Sequence, residues 1–149
     1  MNKIISEFDT LNLIKRIKFD SCIIIFITKD SNIEIYKNLV DKLSKIQYNS
    51  LDLNIIKRDI SINEILLDDF THNGYIIISE PTIYKKGFIR HLIPNDETLI
   101  LPTIGYNSIN NRECIRGGNS ILYEADLAIK ITDYGLFKII KNRFGDVYI

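Results

Sequence analysis

Apolar residues in the first third of the chain switch between helical spacing and a continuous run. Between residues 7 and 18 they recur every three to four positions, which predicts a helix. The run that follows at residues 22–27, Cys-Ile-Ile-Ile-Phe-Ile, predicts a strand buried on both faces. After a polar turn at residues 29–32, residues 35–46 return to helical spacing. The pattern therefore predicts helix, strand and helix in succession.

The middle of the chain repeats this alternation. Residues 51–57 and 75–78 predict two further strands, and residues 61–70 between them predict a short helix with a capping-box start. A fourth apolar run covers residues 98–104. Helices interleaved with continuous apolar strands are typical of α/β proteins with a parallel sheet. We therefore expect a mostly parallel sheet here.

The last quarter of the chain has a different pattern. Residues 127–131 and 136–140 predict two short strands, and the four residues between them, Thr-Asp-Tyr-Gly, suit an antiparallel hairpin. No Ser/Gly/Pro linker and no repeat divides the sequence. We expect a single domain over residues 1–149 that ends in an antiparallel hairpin.

Composition and charge exclude several functional classes. The 149 residues contain 19 Lys and Arg against 19 Asp and Glu, so a partner would not be held by bulk positive charge and any nucleic-acid contact would be a local patch. Two cysteines can form neither a disulfide framework nor a Cys-x-x-Cys metal site. The apolar runs are too short for a membrane span or a signal sequence. We expect a cytoplasmic protein without a membrane partner.

The loop after the first strand, near residues 28–35, occupies the place where a phosphate-binding loop would read GxxxxGK[ST]. None of the required residues is present, and Glu34 stands where the lysine is needed and would repel phosphate. The glycines matter because the backbone must curl its N–H groups around phosphate. The sequence predicts a degenerate phosphate loop here, and a plain strand-to-helix turn is the alternative.

Other positions supply few candidates for catalysis. After the third strand, Ser79 stands where nucleotide hydrolases of this topology keep a magnesium-binding Asp, and Glu80 is a weak catalytic candidate that could equally be a solvated carboxylate. His72 and His91 lie in unrelated segments, and no Cys/His/Asp spacing indicates a metal site or a nucleophile triad. We therefore expect neither a metal nor a cofactor, and the sequence favours a protein that is not an enzyme.

The densest motif lies between residues 117 and 145. It consists of Gly-Gly-Asn at residues 117–119, Ala-Asp at residues 125–126 and Lys-Asn-Arg-Phe-Gly at residues 141–145. This part resembles the RecA-like ATPase superfamily, in which recombinases carry a similar Gly-Gly-Asn before a strand. RadA-type repair proteins and DnaB-type replicative helicases end their core with a similar Ala-Asp strand and turn. From about residue 7 to residue 107 the likeness is one of element order alone. The resemblance implies an α/β RecA-like three-layer fold with a mostly parallel sheet and a C-terminal antiparallel hairpin.

The resemblance also implies roles for particular residues. In that family the Lys and Arg at the end of the hairpin reach the γ-phosphate of a neighbouring subunit, so Lys141 and Arg143 would act in trans from a finger hairpin at residues 126–145. Recombinases place a DNA-contacting loop after the fourth strand, and a solvated turn is the alternative here. The residues that this assigns to DNA contact are Asn110, Asn111, Arg112, Arg116, Gly117, Gly118 and Asn119.

Together these features imply a RecA-like pseudo-ATPase that has lost its own catalytic site. It would be an accessory protein in DNA replication, recombination or repair, related to helicases, that acts on DNA or on an active partner in a homo- or hetero-oligomer of RecA-like subunits. One alternative is a weak ATPase that binds ATP and magnesium at an unconventional phosphate site with Glu80. The other is a purely structural protein-interaction module.

Overall fold

The structure, a computed structural model, describes residues 3–17, 22–44, 54–58, 74–78, 81, 97–116 and 118–145. The strands in this part of the chain are β1 (Lys3–Ile5), β2 (Cys22–Thr28), β3 (Asn54–Arg58), β4 (Gly74–Ile78), β5 (Glu97–Asn107), β6 (Glu113–Ile115), β7 (Leu127–Ile131) and β8 (Phe137–Asn142). The helices are α1 (Glu7–Arg16), α2 (Ile33–Ser44) and the four-residue α3 (Ile121–Glu124), and a 3-10 turn (Asp30–Asn32) precedes α2.

The strands form one mixed sheet in the order β1-β8-β7-β2-β5-β4-β3, and β6 pairs with β5 outside this path. The centre of the sheet is parallel, from β7 through β2, β5 and β4 to β3. Antiparallel pairs join β1 to β8, β8 to β7, and β6 to β5. All seven residues of β2 are buried, because this strand has a neighbour on each side and both of its faces are covered.

Helices α1 and α2 cover one face of the sheet. Alternate residues of β2, among them Ile24 and Phe26, point toward this face and share one apolar cluster with Leu13 of α1 and Leu39 of α2. The ring of Phe26 lies 5.4 Å from the ring of Tyr36. Ser6 starts α1, because its hydroxyl accepts a hydrogen bond from the backbone N–H of Asp9 at 3.1 Å.

The opposite face has a different cover. There Ile23, Ile25 and Ile27 of β2 pack in a second apolar cluster with Ile115 of β6 and Ile121 of α3. In the described part of the chain, the three-residue strand β6 and the four-residue helix α3 therefore lie on this side, whereas α1 and α2 lie on the other.

The prediction of a RecA-like three-layer α/β fold is wrong. Among the described residues the sheet is mixed, curls into a half-barrel and is accompanied by few helices, so that two helical layers do not enclose this part of the chain. One physical reason is β5, which pairs with β4 only as far as Ile100 and then continues to Asn107 and turns back as β6. This hairpin thus covers part of the second face of the sheet, where Ile115 of β6 packs in the second apolar cluster.

Several of the predicted elements are present with shifted ends. Two of the three predicted helices are α1 and α2, and the strands predicted at residues 22–27, 51–57, 75–78 and 98–104 are β2, β3, β4 and β5. The C-terminal antiparallel hairpin is formed by β7 and β8. β1, β6 and α3 were not predicted, and the helix expected at residues 61–70 lies outside the described residues.

Candidate functional site

A cavity opens at the carboxyl ends of the parallel strands β2, β5 and β7. β2 continues into α2 on one face of the sheet, whereas β5 continues into β6 on the other face. Adjacent strands whose continuations leave on opposite faces create a crevice, which is where open α/β sheets bind ligands. The cavity here has a volume of about 120 Å³. Its lining comes from the ends of β2, β5, β7 and β8 together with β6 and α3.

Most of the surface that lines the cavity is apolar. It includes Ile27, Ile131 and Ile140 from the sheet and Ile115 and Leu122 from the elements that cover it. Gly105 also lines the cavity, and a Cβ atom at that position would come within 2.8 Å of the Cγ2 atom of Ile27. A glycine at this point therefore lets the curled end of β5 pass close to β2.

Two ion pairs lie at the cavity, and of their four side chains that of Lys130 is the least exposed, at 28%. Lys130 lies directly opposite Lys138 in the antiparallel pairing of β7 with β8, and like charges opposite each other repel. Its ammonium group donates a hydrogen bond to Glu113 of β6. This hydrogen bond, together with the positive charges of Lys130 and Lys138, lowers the pKa of Glu113. The position therefore favours a negative charge.

Lys29 is the second cation of the cavity and follows directly after β2. Its Nζ atom lies 3.1 Å from Oδ2 of Asp133, in the turn between β7 and β8, and the side-chain amide of Asn32 donates to Oδ1 of the same carboxylate at 2.8 Å. These two hydrogen bonds, that of Lys29 first, lower the pKa of Asp133. Residues 28–35 thus form a strand-to-helix turn, and these two contacts with Asp133 connect it to the β7–β8 turn.

Lys141 and Arg143, predicted as trans-acting fingers, both contact groups of their own chain. The ammonium of Lys141 donates to the backbone carbonyls of Leu122 at 2.8 Å and Tyr123 at 3.3 Å, near the C-terminal end of α3. Cations stabilise the carbonyl end of a helix. The guanidinium of Arg143 lies 2.9 Å from Oδ1 of Asp126. A role in trans would require each cation to leave these partners.

Asp126 is 1% exposed and joins the ends of three strands. Its Oδ2 accepts a hydrogen bond from the N–H of Ile23 at 2.8 Å, and its own N–H donates to the carbonyl of Ile23 at 2.8 Å. Its carbonyl accepts from the N–H of Arg143 at 2.8 Å. Asp126 therefore ties β2 and β7 to the segment that follows β8.

Part of the predicted DNA-contacting loop forms the exposed tip of the β5–β6 hairpin. Asn110, Asn111 and Arg112 are exposed there, and Asn111 has a φ of 62°. The N–H of Asn111 and the carbonyl of Arg112 both bond to the backbone of Ser108, which closes the turn. The side chain of Ile109 beside them is fully exposed.

The remaining residues assigned to this loop lie after the hairpin and make local contacts. The guanidinium of Arg116 lies 2.9 Å from Oδ2 of Asp30, and both side chains are more than half exposed. Asn119 accepts a hydrogen bond from the N–H of Ile115 at 2.9 Å through its side-chain oxygen. Gly118 has a φ of 104°, which glycine adopts readily. Gly117 and the weak catalytic candidate Glu80 lie outside the described residues.

Within the residues that the structure describes, no three His, Cys, Asp or Glu side chains stand close enough together to hold a metal ion. No helix in this same part of the chain is long and apolar enough to cross a membrane. Comparison with known proteins gives no assignment: no protein-family model matches the chain, and no curated protein is significantly similar to it.

Sequence reasoning missed the ion pairs around the cavity. Lys130 and Glu113 are separated by 17 positions, and Lys29 and Asp133 by 104, so no local pattern joins them. The sequence does hold a signal for a partner of Asp126, because a carboxylate next to a buried strand is rarely left without a partner.

Proposed function

We propose that the protein binds a small organic anion, an aromatic or branched aliphatic carboxylate, in the cavity at the carboxyl ends of the parallel strands. The observation that carries this proposal is an aliphatic cavity of about 120 Å³ whose lining includes two lysines, Lys29 and Lys130. An apolar body with one negative group complements such a lining, since ligand sites combine apolar walls with a few placed polar groups.

The size of the cavity supports a ligand with a single ring or a short branched chain. An engineered apolar cavity of about 150 Å³ in another protein binds benzene. The cavity here, about 120 Å³, is of similar volume and has Lys130 and Glu113 in its lining. A ligand whose ring packs on Ile27 and Leu122 and whose carboxylate points toward Lys130 complements both the apolar and the charged part of the lining.

The charges support an anion over a cation or a neutral compound. The lowered pKa of Glu113, caused first by its hydrogen bond from Lys130, means that a negative charge is stabilised at this point. Glu113 is 64% exposed, so its carboxylate regains water readily when a ligand carboxylate takes its place on Lys130. A ligand ammonium group would have to take the place of Lys130 on Glu113, beside the positive charges of Lys130 and of Lys138 on the opposite strand.

The test is a chemical-shift titration of the labelled protein with benzoate, benzyl alcohol and benzylamine, three probes of similar size and different charge. We expect benzoate to bind most tightly and to shift the amides of residues 105–107, 113–115 and 130–131. Lys130→Met should weaken benzoate binding about tenfold, the value of a charged hydrogen bond, and leave benzyl alcohol unchanged. Glu113→Gln should tighten benzoate binding because it frees Lys130.

Two controls separate the cavity from general surface binding. Lys15→Met removes an exposed lysine of α1 that does not line the cavity, and it should leave all three titrations unchanged. Leu122→Phe fills the cavity and should weaken benzoate and benzyl alcohol alike. Equal affinity for benzoate and benzylamine, or shifts confined to residues outside the cavity, would contradict the proposal.

A second candidate function is an accessory role on DNA, favoured by the tip of the β5–β6 hairpin. Asn110, Asn111 and Arg112 are exposed there, and the guanidinium of Arg112 makes no ion pair among the described residues. Fluorescence anisotropy with a labelled single-stranded oligonucleotide tests this role. We expect affinity to fall as salt rises and to fall with Arg112→Ala, whereas Lys15→Ala should have no effect.

Action on an active partner through Lys141 and Arg143 stays a prediction, as do the weak ATPase and the structural protein-interaction module. The partner's ATPase rate with Lys141→Ala and Arg143→Ala tests the first. A thermal melt with ATP and magnesium tests the second, because a ligand at about 100 times its Kd adds about 2.7 kcal/mol of stability.

A further inference from the structure

Strand β1 ends the sheet on one side and leaves an edge without a neighbouring strand in the described part of the chain. It pairs with β8 on its inner side and is the first strand of the sheet order. Its central residue, Ile4, is 57% exposed. An unpaired strand edge presents backbone N–H and C=O groups and is a template for pairing with another strand.

The two faces of β1 differ. Ile5 is buried in the cluster that includes α1 and α2, and Lys3 lies on the same face because side chains alternate along a strand. Ile4 therefore lies on the opposite face. A groove beside the strand is lined by all of β1 and by residues of α1 from Asp9 to Arg16. The helix thus runs beside the strand edge.

This groove carries two charges without ion-pair partners. The side chains of Lys3 and Asp9 make no ion pair or hydrogen bond among the described residues. Both are exposed, with Lys3 at the start of β1 and Asp9 in the first turn of α1, beyond the end of β1. One copy of the chain therefore presents a cation at one end of the edge and an anion near the other.

We propose that a second copy of this chain pairs with the edge of β1 in an antiparallel dimer, with its two-fold axis at Ile4. In this register Ile4 faces Ile4 of the second copy, and Lys3 lies opposite Ile5 of the second copy. A two-fold axis perpendicular to the sheet leaves the faces of both strands unchanged, so Lys3 stands on the α1 face of the second copy. There it meets the Asp9 carboxylate of that copy, and symmetry makes the contact twice.

The second copy is the occupant that these residues favour because the edge is complementary to itself. The register that buries the two exposed Ile4 side chains against each other is also the register that joins each Lys3 to an Asp9. β1 contributes only three residues to the contact. Because an interface of this kind falls below the standard size, we expect a weak dimer that forms as concentration rises.

The test measures mass by sedimentation equilibrium over a range of concentrations. Wild type should rise from the 17.3 kDa of the monomer toward twice that mass. Lys3→Glu and Asp9→Lys should each stay monomeric, because each places like charges together. The double variant Lys3→Glu with Asp9→Lys should dimerise again, since the pair is restored with its signs reversed.

Matched controls make the same charge changes elsewhere. Lys15→Glu reverses an exposed lysine of α1 that does not line the groove, and Glu34→Lys reverses an exposed carboxylate in the first turn of α2, as Asp9→Lys does in α1. Both should dimerise as wild type does. Ile4→Lys, which places two cations on the axis, should be monomeric. A wild type that stays at 17.3 kDa at every concentration would overturn the proposal, as would a double variant that fails to regain the dimer.

Discussion

Asp126 joins three segments that are distant in the sequence. Its backbone and carboxylate make hydrogen bonds to both the N–H and the carbonyl of Ile23, and its carboxylate and carbonyl contact Arg143. The carboxylate is buried, whereas the side chain of Arg143 is half exposed. These hydrogen bonds and this ion pair therefore explain why a charged residue, Asp126, lies directly before the apolar strand β7.

Asp126→Ala should lower the free energy of unfolding by about 3 kcal/mol, because it leaves the buried N–H of Ile23 without an acceptor and Arg143 without its carboxylate. Asp126→Asn should cost about 1 kcal/mol, since an amide oxygen can still accept from Ile23 and the half-exposed guanidinium regains water. Urea denaturation measures both. Asp30→Ala removes an exposed ion pair with Arg116 and should change stability by less than about 1 kcal/mol. An Asp126→Ala cost as small as that of Asp30→Ala would rule out this account.

At the scale of elements, a β-bulge in β8 decides which face Lys141 occupies. Ile129 pairs with Ile139, but Ala128 pairs with Lys141, so Ile140 is an extra residue. Ile129 and Ile139 face α1 and α2, whereas Ala128 faces the other side. The bulge thus turns Lys141 toward α3, where it donates to the last carbonyls of the helix.

Lys141→Met should loosen α3 and leave the sheet intact, because it keeps the aliphatic stem of the side chain and removes only the donor. A four-residue helix has little stability of its own, so the loss of this contact should cost about 0.5–1 kcal/mol. Hydrogen exchange measures the effect, and we expect faster exchange at the amides of residues 121–125. Lys138→Met, which makes the same change three residues earlier in β8, is the control. Equal exchange in both variants would show that Lys141 does not hold the helix.

The elements that sequence reasoning predicted are those with long apolar signals. A run of isoleucines predicted β2 because a strand with both faces covered needs no polar positions. β6 and α3, with three and four residues, are too short to show a period. β5 was predicted to end at residue 104, where the apolar run ends, but pairing with β6 extends it to Asn107.

The motif at the C-terminus predicted a fold that the chain does not have. Asn119, Lys141 and Arg143 resemble residues of the RecA-like superfamily, and in this structure each makes a contact within its own chain. The edge of the sheet where a ligand would bind was predictable, since it follows from the direction of parallel strands. The ion pairs at that edge were not, because their partners are distant in sequence.

On the scale of the whole molecule, the carboxyl edge of the sheet is held by ion pairs between distant segments. Lys29 with Asp133 joins the turn after β2 to the turn between β7 and β8, and Lys130 with Glu113 joins β7 to β6. The pKa of each carboxyl is lowered, that of Asp133 chiefly by its hydrogen bonds to Lys29 and Asn32 and that of Glu113 chiefly by its hydrogen bond to Lys130. The stability of this edge therefore depends on pH.

The sign of the dependence follows from the direction of the two pKa shifts. A carboxyl group whose pKa is lower in the folded chain stabilises the fold at pH values above its ordinary pKa of about 4, and this contribution is lost as pH falls through the lower value. The double variant Glu113→Gln with Asp133→Asn should therefore be less stable than wild type at pH 7, and the difference should disappear as pH falls through the lowered pKa values of the two carboxyl groups. Urea midpoints measured from neutral to acidic pH test this, with Glu34→Gln as a control that removes an exposed carboxylate outside these ion pairs. A difference that stays constant across the range would show that the two ion pairs do not contribute to stability through charge.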